Sequence, residues 1–275
     1  MPRPDSKSVD PHAFERRTVD ALTIEDERSF RHVAIYEDLK EVLRRAKYPF
    51  RVMPESLAGR ADRALLLNLT FWGADAGGDV LESATLPADV VAHAAWHHLA
   101  AKALPAAKDA APSVDGLFLG EAIASAFDVY LVGRLLGHAP NSTFLESQVP
   151  AMADAADSAG LDEDAFEAML EAIASDPEQA FTDLRELLFD ATSALFGCKG
   201  VEVASATLAK FDEHRFAALL HRYELSNWVL YARAYGDAKP DERARAVDAK
   251  LRSEKLPLEW LASEWITPAT RVLAP

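Results

Sequence analysis

The chain has little cysteine and a shortage of positive charge. A single cysteine, Cys198, stands among 275 residues, so no intrachain disulfide can form. A reducing compartment fits that usage, and cytoplasmic is the expected location. No His or Asp pairing marks Cys198 as a nucleophile, so a plain thiol is the default reading. Lys and Arg number 29 against 44 Asp and Glu, a formal charge of −15. Phosphate recognition needs concentrated positive surface, which disfavours nucleic acid as a partner. Anionic membrane surfaces are disfavoured for the same reason. Long apolar runs free of charge are lacking too. The best candidate for a membrane span, "LFLGEAIASAFDVYLVGRLLG", carries Glu121, Asp128 and Arg134. The N-terminal "MPRPDSKSVDPHAFERR" has no apolar core of the kind a signal peptide needs.

What is present is a large apolar fraction, 49% of residues, enough to build a substantial core. Residues 1–27 are polar and Pro-containing and read as an N-terminal tail or arm. Residues 28–110 read as an α/β part. Val33, Tyr36, Leu39, Val42 and Leu43 recur at helical spacing, "PFRVMPE" and "VLESAT" suit short strands, and the apolar run "RALLLNLTFWG" reads as a buried strand. Residues 111–275 read as helical, with helices expected over 116–136, 144–158, 162–175, 178–196, 201–210, 213–235, 240–254 and 257–265. The expected fold class is α+β and mostly helical: a small N-terminal sheet with helices, then an all-helical C-terminal part. "EAIAS" occurs at 121–125 and again at 171–175 without matching flanks, so no repeat is inferred.

Three of the eight histidines, His93, His97 and His98, fall in "VVAHAAWHHLAA". A helix over 88–104 is expected, with Pro87 where its first turn would begin and Pro105 at its end. This helix is apolar nearly all round, as buried helices are. His93 and His97, four apart, share one face. Asp89 lies a turn earlier on that face, and His98 points about a quarter-turn away. The helix over 116–136 is also apolar, yet Glu121, Ser125 and Asp128 form a stripe on it. A buried carboxylate is costly unless paired or metal-bound. Facing the imidazole stripe with the carboxylate stripe would satisfy both. Two histidines and a carboxylate from a second helix are also three protein ligands for zinc, with a fourth position left open. Other divalent metals suit the same donors. Asp89, His98, Ser125 and Asp128 are the candidates to orient the ligands.

"HAAWH", 93–97, resembles the HExxH helix of zincin metallopeptidases. "GEAIASAFD", 120–128, resembles the glutamate helix of the gluzincin, thermolysin-like branch. Glu121 follows His97 by 24 positions, which suits that branch. The resemblance covers residues 63 to 136. It implies a zincin-like fold, with His93, His97 and Glu121 as zinc ligands. The sequence departs from the family at Ala94, where the family holds the glutamate that acts as general base toward the metal-bound water. Alanine cannot accept a proton, so catalytic residues are assigned to none. Either hydrolysis has been lost naturally, which the Ala-rich surroundings favour, or Ala94 is an inactivating substitution. The family's downstream oxyanion-stabilising residue has four candidates, His214, His221, Tyr223 and Tyr231, and no pattern selects one.

The resemblance therefore implies a metalloprotease-like, zinc-binding pseudoenzyme that holds a peptide or protein partner. Were it active, it would be a zinc-dependent metallopeptidase-like hydrolase, and Ala94 argues against that. A base drawn from Asp89 or Asp128 is a further option. The alternative is a helical interaction or scaffold protein without metal. Its histidines would be core residues hydrogen-bonded to Glu121, Asp128 or backbone, and Glu121 would pair with a protonated His or with Arg134. Arg215, Arg222 and Arg233 suit a solvated helix face better than an anion site. Trp96, Phe71 and Trp72, like the C-terminal aromatics, suit core packing.

Overall fold

A computed structural model describes residues 14–71, 78–105 and 112–271, except the side chains of 69–71. The mostly helical α+β expectation holds: twelve α-helices accompany five short strands among the described residues. Strands β1 (Glu15–Arg17), β3 (Phe50–Val52) and β4 (Val80–Leu81) form one sheet, with β3 central, antiparallel to β1 and parallel to β4. Strands β2 (Thr23–Glu25) and β5 (Thr85–Pro87) pair in parallel as a second sheet. Residues within the stretch read as an arm thus take part in both sheets. Their strands are three residues long, too short to show alternation in sequence.

Helix α1 (Ala34–Ala46) buries Tyr36, Leu39, Val42 and Leu43, the face its spacing predicts. It stops at Lys47, which adopts the left-handed conformation with φ 49°. The run expected as a buried strand is instead helix α2 (Ala61–Phe71). Its "ALLLNL" contains no β-branched residue, and Ala and Leu are strong helix formers. Nor is it buried throughout: Leu65 and Leu66 are 61% and 63% exposed. Trp72 and the Phe71 side chain lie outside the described residues.

Strand β5 leads directly into the histidine helix α3 (Ala88–Ala103), with Pro87 as its N-cap. Helix α4 (Val114–Leu136) begins where the Ser113 hydroxyl accepts the Gly116 amide. By length and composition α4 is apolar enough to cross a membrane, contrary to the sequence reading. However, 83% of its apolar window is buried inside the protein, so here it is a core helix. Helices α3 and α7 (Pro177–Phe196) flank it. Trp96 of α3 meets Phe127 of α4 edge-on at 5.5 Å between ring centres. The two helices approach closely at Gly120, where an added Cβ would sit 3.3 Å from the Ala100 methyl. That approach brings the stripe on α4 within reach of the stripe on α3.

Helices α5 (Thr143–Ser158), α6 (Glu163–Ser175) and α7 are capped by the side chains of Ser142, Asp162 and Asp176. Helix α8 (Val201–Leu208) ends in a 3₁₀ turn. The single helix expected over 213–235 is divided into a 3₁₀ turn, Ala217–Tyr223, and helix α9 (Leu225–Tyr235). Glu224, at φ 50°, makes the break. Helix α10 (Glu242–Ser253) follows. The last helix runs beyond its expected end, as α11 (Pro257–Leu261), a π turn over 262–266 and α12 (Thr267–Thr270). Arg215, Arg222 and Arg233 diverge, toward Asp183, Gln148 and the Leu195 and Cys198 carbonyls, and form no shared anion site.

Candidate metal centre

Helix periodicity places His93 above His97 on α3, and Glu121 and Asp128 on one face of α4. The structure brings His93, His97 and Glu121 together, with one ligand atom from each lying within 4.8 Å of the others. The two imidazoles turn their Nε2 atoms toward each other at 3.0 Å. His97 Nε2 lies 3.5 Å from Glu121 Oε1. A tetrahedral zinc with bonds near 2.0–2.2 Å holds neighbouring ligand atoms about 3.3 Å apart. Two of the three separations bracket that value and the third, between His93 and Glu121, lies within 4.8 Å, so the group could hold a small divalent cation. Glu121 is only 7% exposed, and its Oε1 accepts no hydrogen bond among the described residues. A buried carboxylate oxygen with no donor is the atom a cation would satisfy.

Asp128 Oδ2 lies 3.3 Å from His93 Nδ1. This is the carboxylate–imidazole contact that orients a metal-ligating histidine. Asp89 is close enough to feel the charge of Asp128. Burial and that charge together raise its carboxyl to about 6. Of the other expected supporting residues, Ser125 is buried on the α4 stripe, and the His98 ring packs edge-on against Tyr48 at 5.4 Å. Among the described residues neither is hydrogen-bonded to the triad. Glu121 has His97, not Arg134, as its ion-pair neighbour; Arg134 reaches the His32 carbonyl at 3.5 Å.

The electrostatics of the group are strongly coupled. Burial disfavours a charged His93, yet Asp128, Glu121 and Asp79 together outweigh it and raise the imidazole to about 9. Burial, with the charge on His93, lowers His97 to about 3. Burial raises Glu121 to about 7, against the pull of His93. One charged and one neutral imidazole therefore share the site. Such a group holds a proton where a cation would otherwise sit.

The triad borders a cavity of about 600 Å³, with His97, His98 and Glu121 in its wall. Tyr48, Arg51, Asn68, Asp79 and Tyr231 line it as well. Of the four downstream candidates, Tyr231 reaches this cavity. Tyr223 is partly buried, and burial raises its hydroxyl against the charge of Arg222. His221 lines a separate groove, and His214 accepts the Phe216 amide. Asp79 was not among the expected site residues. It follows a Gly-Gly pair in the sequence, where no periodicity reveals which way a side chain faces.

No family model matches the chain, and neither a curated protein nor a solved structure is similar to it. The class that fold and site define is a mostly helical protein with a buried His-His-Glu group able to hold a metal ion.

Proposed function

We propose that this protein binds a divalent metal, zinc, through His93, His97 and Glu121. The single observation that carries this reading is the convergence of those three ligand atoms within 4.8 Å. We further propose a zincin-like, metalloprotease-like protein that lacks ordinary peptidase activity and holds a peptide or protein partner in the cytoplasm. Ala94 supports the loss of hydrolysis, because it is buried and offers only a methyl group beside the first histidine. The cavity beside the triad supports ligand binding, since small-molecule and peptide sites are concave and mostly apolar with a few placed polar groups.

The competing reading is a helical scaffold protein without metal. It draws on the hydrogen bonds that His93 already makes to Asp128 and His97. Elemental analysis of untagged protein separates the two, beside a His93→Ala/His97→Ala variant. Near-stoichiometric zinc in the parent and none in the variant is the expected result. A parent that takes up no zinc even after incubation with excess Zn²⁺ removes the metal reading and leaves the scaffold.

A further inference from the structure

Two carboxylates, Glu121 and Asp79, stand in the wall of the cavity. Glu121 is a ligand in the reading above. Asp128 is bonded to His93, and neither it nor Asp89 lines the cavity among the described residues. Asp79 is therefore the carboxylate left facing whatever enters.

Its position is built by the fold. Strand pairing sets Arg51 opposite Val80, and the Arg51 amide donates to the Asp79 carbonyl at 3.0 Å. The Arg51 guanidinium donates to the Gly78 carbonyl at 3.0 Å. Asn68 clamps Val80 from the other side, accepting its amide at 2.7 Å and donating to its carbonyl at 2.9 Å. Gly78 has φ +86°, and a Cβ there would come within 1.5 Å of the Pro49 carbonyl oxygen, so only glycine fits. The Tyr48 hydroxyl lies beside the Asp79 carboxylate, which is also in electrostatic reach of His93 and Arg51. A loop tied at this many points fixes the backbone from which the Asp79 side chain starts.

We propose that Asp79 is the proton acceptor of this site, taking over from a loop the part that Ala94 cannot play from the helix. Its carboxylate receives the proton that a weakly acidic ligand gives up when its oxygen seats beside His97 and Glu121. This rests on the metal reading above. The ligand class is one that coordinates through oxygen and sheds a proton on doing so, such as a hydroxamic acid. In that step the O–H bond of the N–OH group breaks, the oxygen keeps the electron pair, and the proton passes to Asp79; the N–O bond is untouched.

The test uses the full chain loaded with Zn²⁺, with zinc content measured on every sample. Acetohydroxamic acid is the probe, titrated calorimetrically in two buffers of different ionisation enthalpy. The expected result is that Asp79→Asn keeps its zinc but binds the probe about tenfold more weakly. It also releases about one more proton to the buffer than the parent does, because Asp79 no longer takes it up. Asp79→Glu should recover part of the affinity. Tyr48→Phe, which leaves the carboxylate but removes its hydroxyl neighbour, should shift the affinity by a smaller factor and serves if Asp79→Asn does not fold. Unchanged affinity and proton count in Asp79→Asn would overturn the proposal. So would loss of zinc from that variant, which would make Asp79 part of the metal shell instead. A parent without zinc fails at the earlier step, the metal reading itself.

Discussion

Asp128 Oδ2 meets His93 Nδ1 at 3.3 Å, and this contact decides what the other ring nitrogen can do. Without metal the charge of Asp128 helps keep His93 protonated, so a cation must displace the proton on Nε2. With Nδ1–H then donating to Asp128, Nε2 carries the lone pair. That lone pair faces His97 Nε2 and the space before Glu121. In the proposed metal site, Asp128 thus prepares His93 as a ligand without itself supplying a donor atom.

Asp128→Asn should therefore weaken zinc binding while leaving the fold intact. Partners of this kind are worth roughly 10- to 100-fold in metal affinity. Competition against a chromophoric zinc chelator, with circular dichroism as the folding control, measures it. An unchanged affinity would mean that Asp128 only balances charge beside the site.

Glu121→Gln separates the triad from the packing around it. The amide is nearly isosteric with the carboxylate, so the metal-free variant should melt no lower than the parent. The parent should gain stability from zinc because the cation binds only the folded chain. At a free metal concentration of 100 Kd the gain is about 2.7 kcal/mol. For a chain of this size that is a Tm rise on the order of 5 °C or more. Glu121→Gln should lose most of that rise. Equal zinc-induced shifts in both proteins would exclude Glu121 as a ligand.

The α3 and α4 stripes were legible in sequence because helical periodicity is rigid. Once His93 and His97 lie four apart, and Glu121 and Asp128 seven apart, their shared faces follow. That the two stripes meet rests on tertiary packing at Gly120 and Ala100, which the apolar character of both helices suggested. Asp79 was not legible. Its approach to the site depends on which strand β4 pairs with, a nonlocal fact. Helix α2 was misread because a short apolar run suits strand and helix alike. The break at Glu224 escaped notice because a non-glycine residue with positive φ leaves no mark in the pattern around it.

Glu178, far from the triad in sequence, should give the fold a pH dependence of its own. It sits in the first turn of α7, and its Oε2 is buried without a hydrogen-bond partner among the described residues. Burial, then the charges of Glu259 and Asp176, raise its carboxyl to about 6 from an ordinary 4.5, against the pull of Arg134. The folded state holds this proton more tightly than the unfolded chain does. Stability is therefore lost as pH rises from about 4.5 through about 6. Allowing for its partial exposure to solvent, the cost above that window is about 1 kcal/mol. Glu178→Gln should raise Tm at pH 7.5 and leave it unchanged at pH 4. A gain of equal size at both values would assign the effect to packing instead of charge.

Ala94 supplies the sharpest check on the proposed loss of peptidase chemistry. Restoring glutamate there recreates the HExxH spelling, so a simple reading of the motif expects activity to return. The structure argues otherwise. Ala94 is 3% exposed within the core and does not line the cavity that His97 and Glu121 border. A glutamate at that position must either bury its carboxyl without a partner or push neighbouring side chains aside. Burying an unpaired carboxyl and overpacking a core are each worth about 1–3 kcal/mol. Ala94→Glu should lower Tm by several degrees, and hydrolysis of a mixed peptide pool followed by mass spectrometry should remain at background. Peptide cleavage that appears with Ala94→Glu and disappears when His97→Ala is added would show that position 94 faces the reacting centre. The substitution would then be what separates this chain from an active hydrolase.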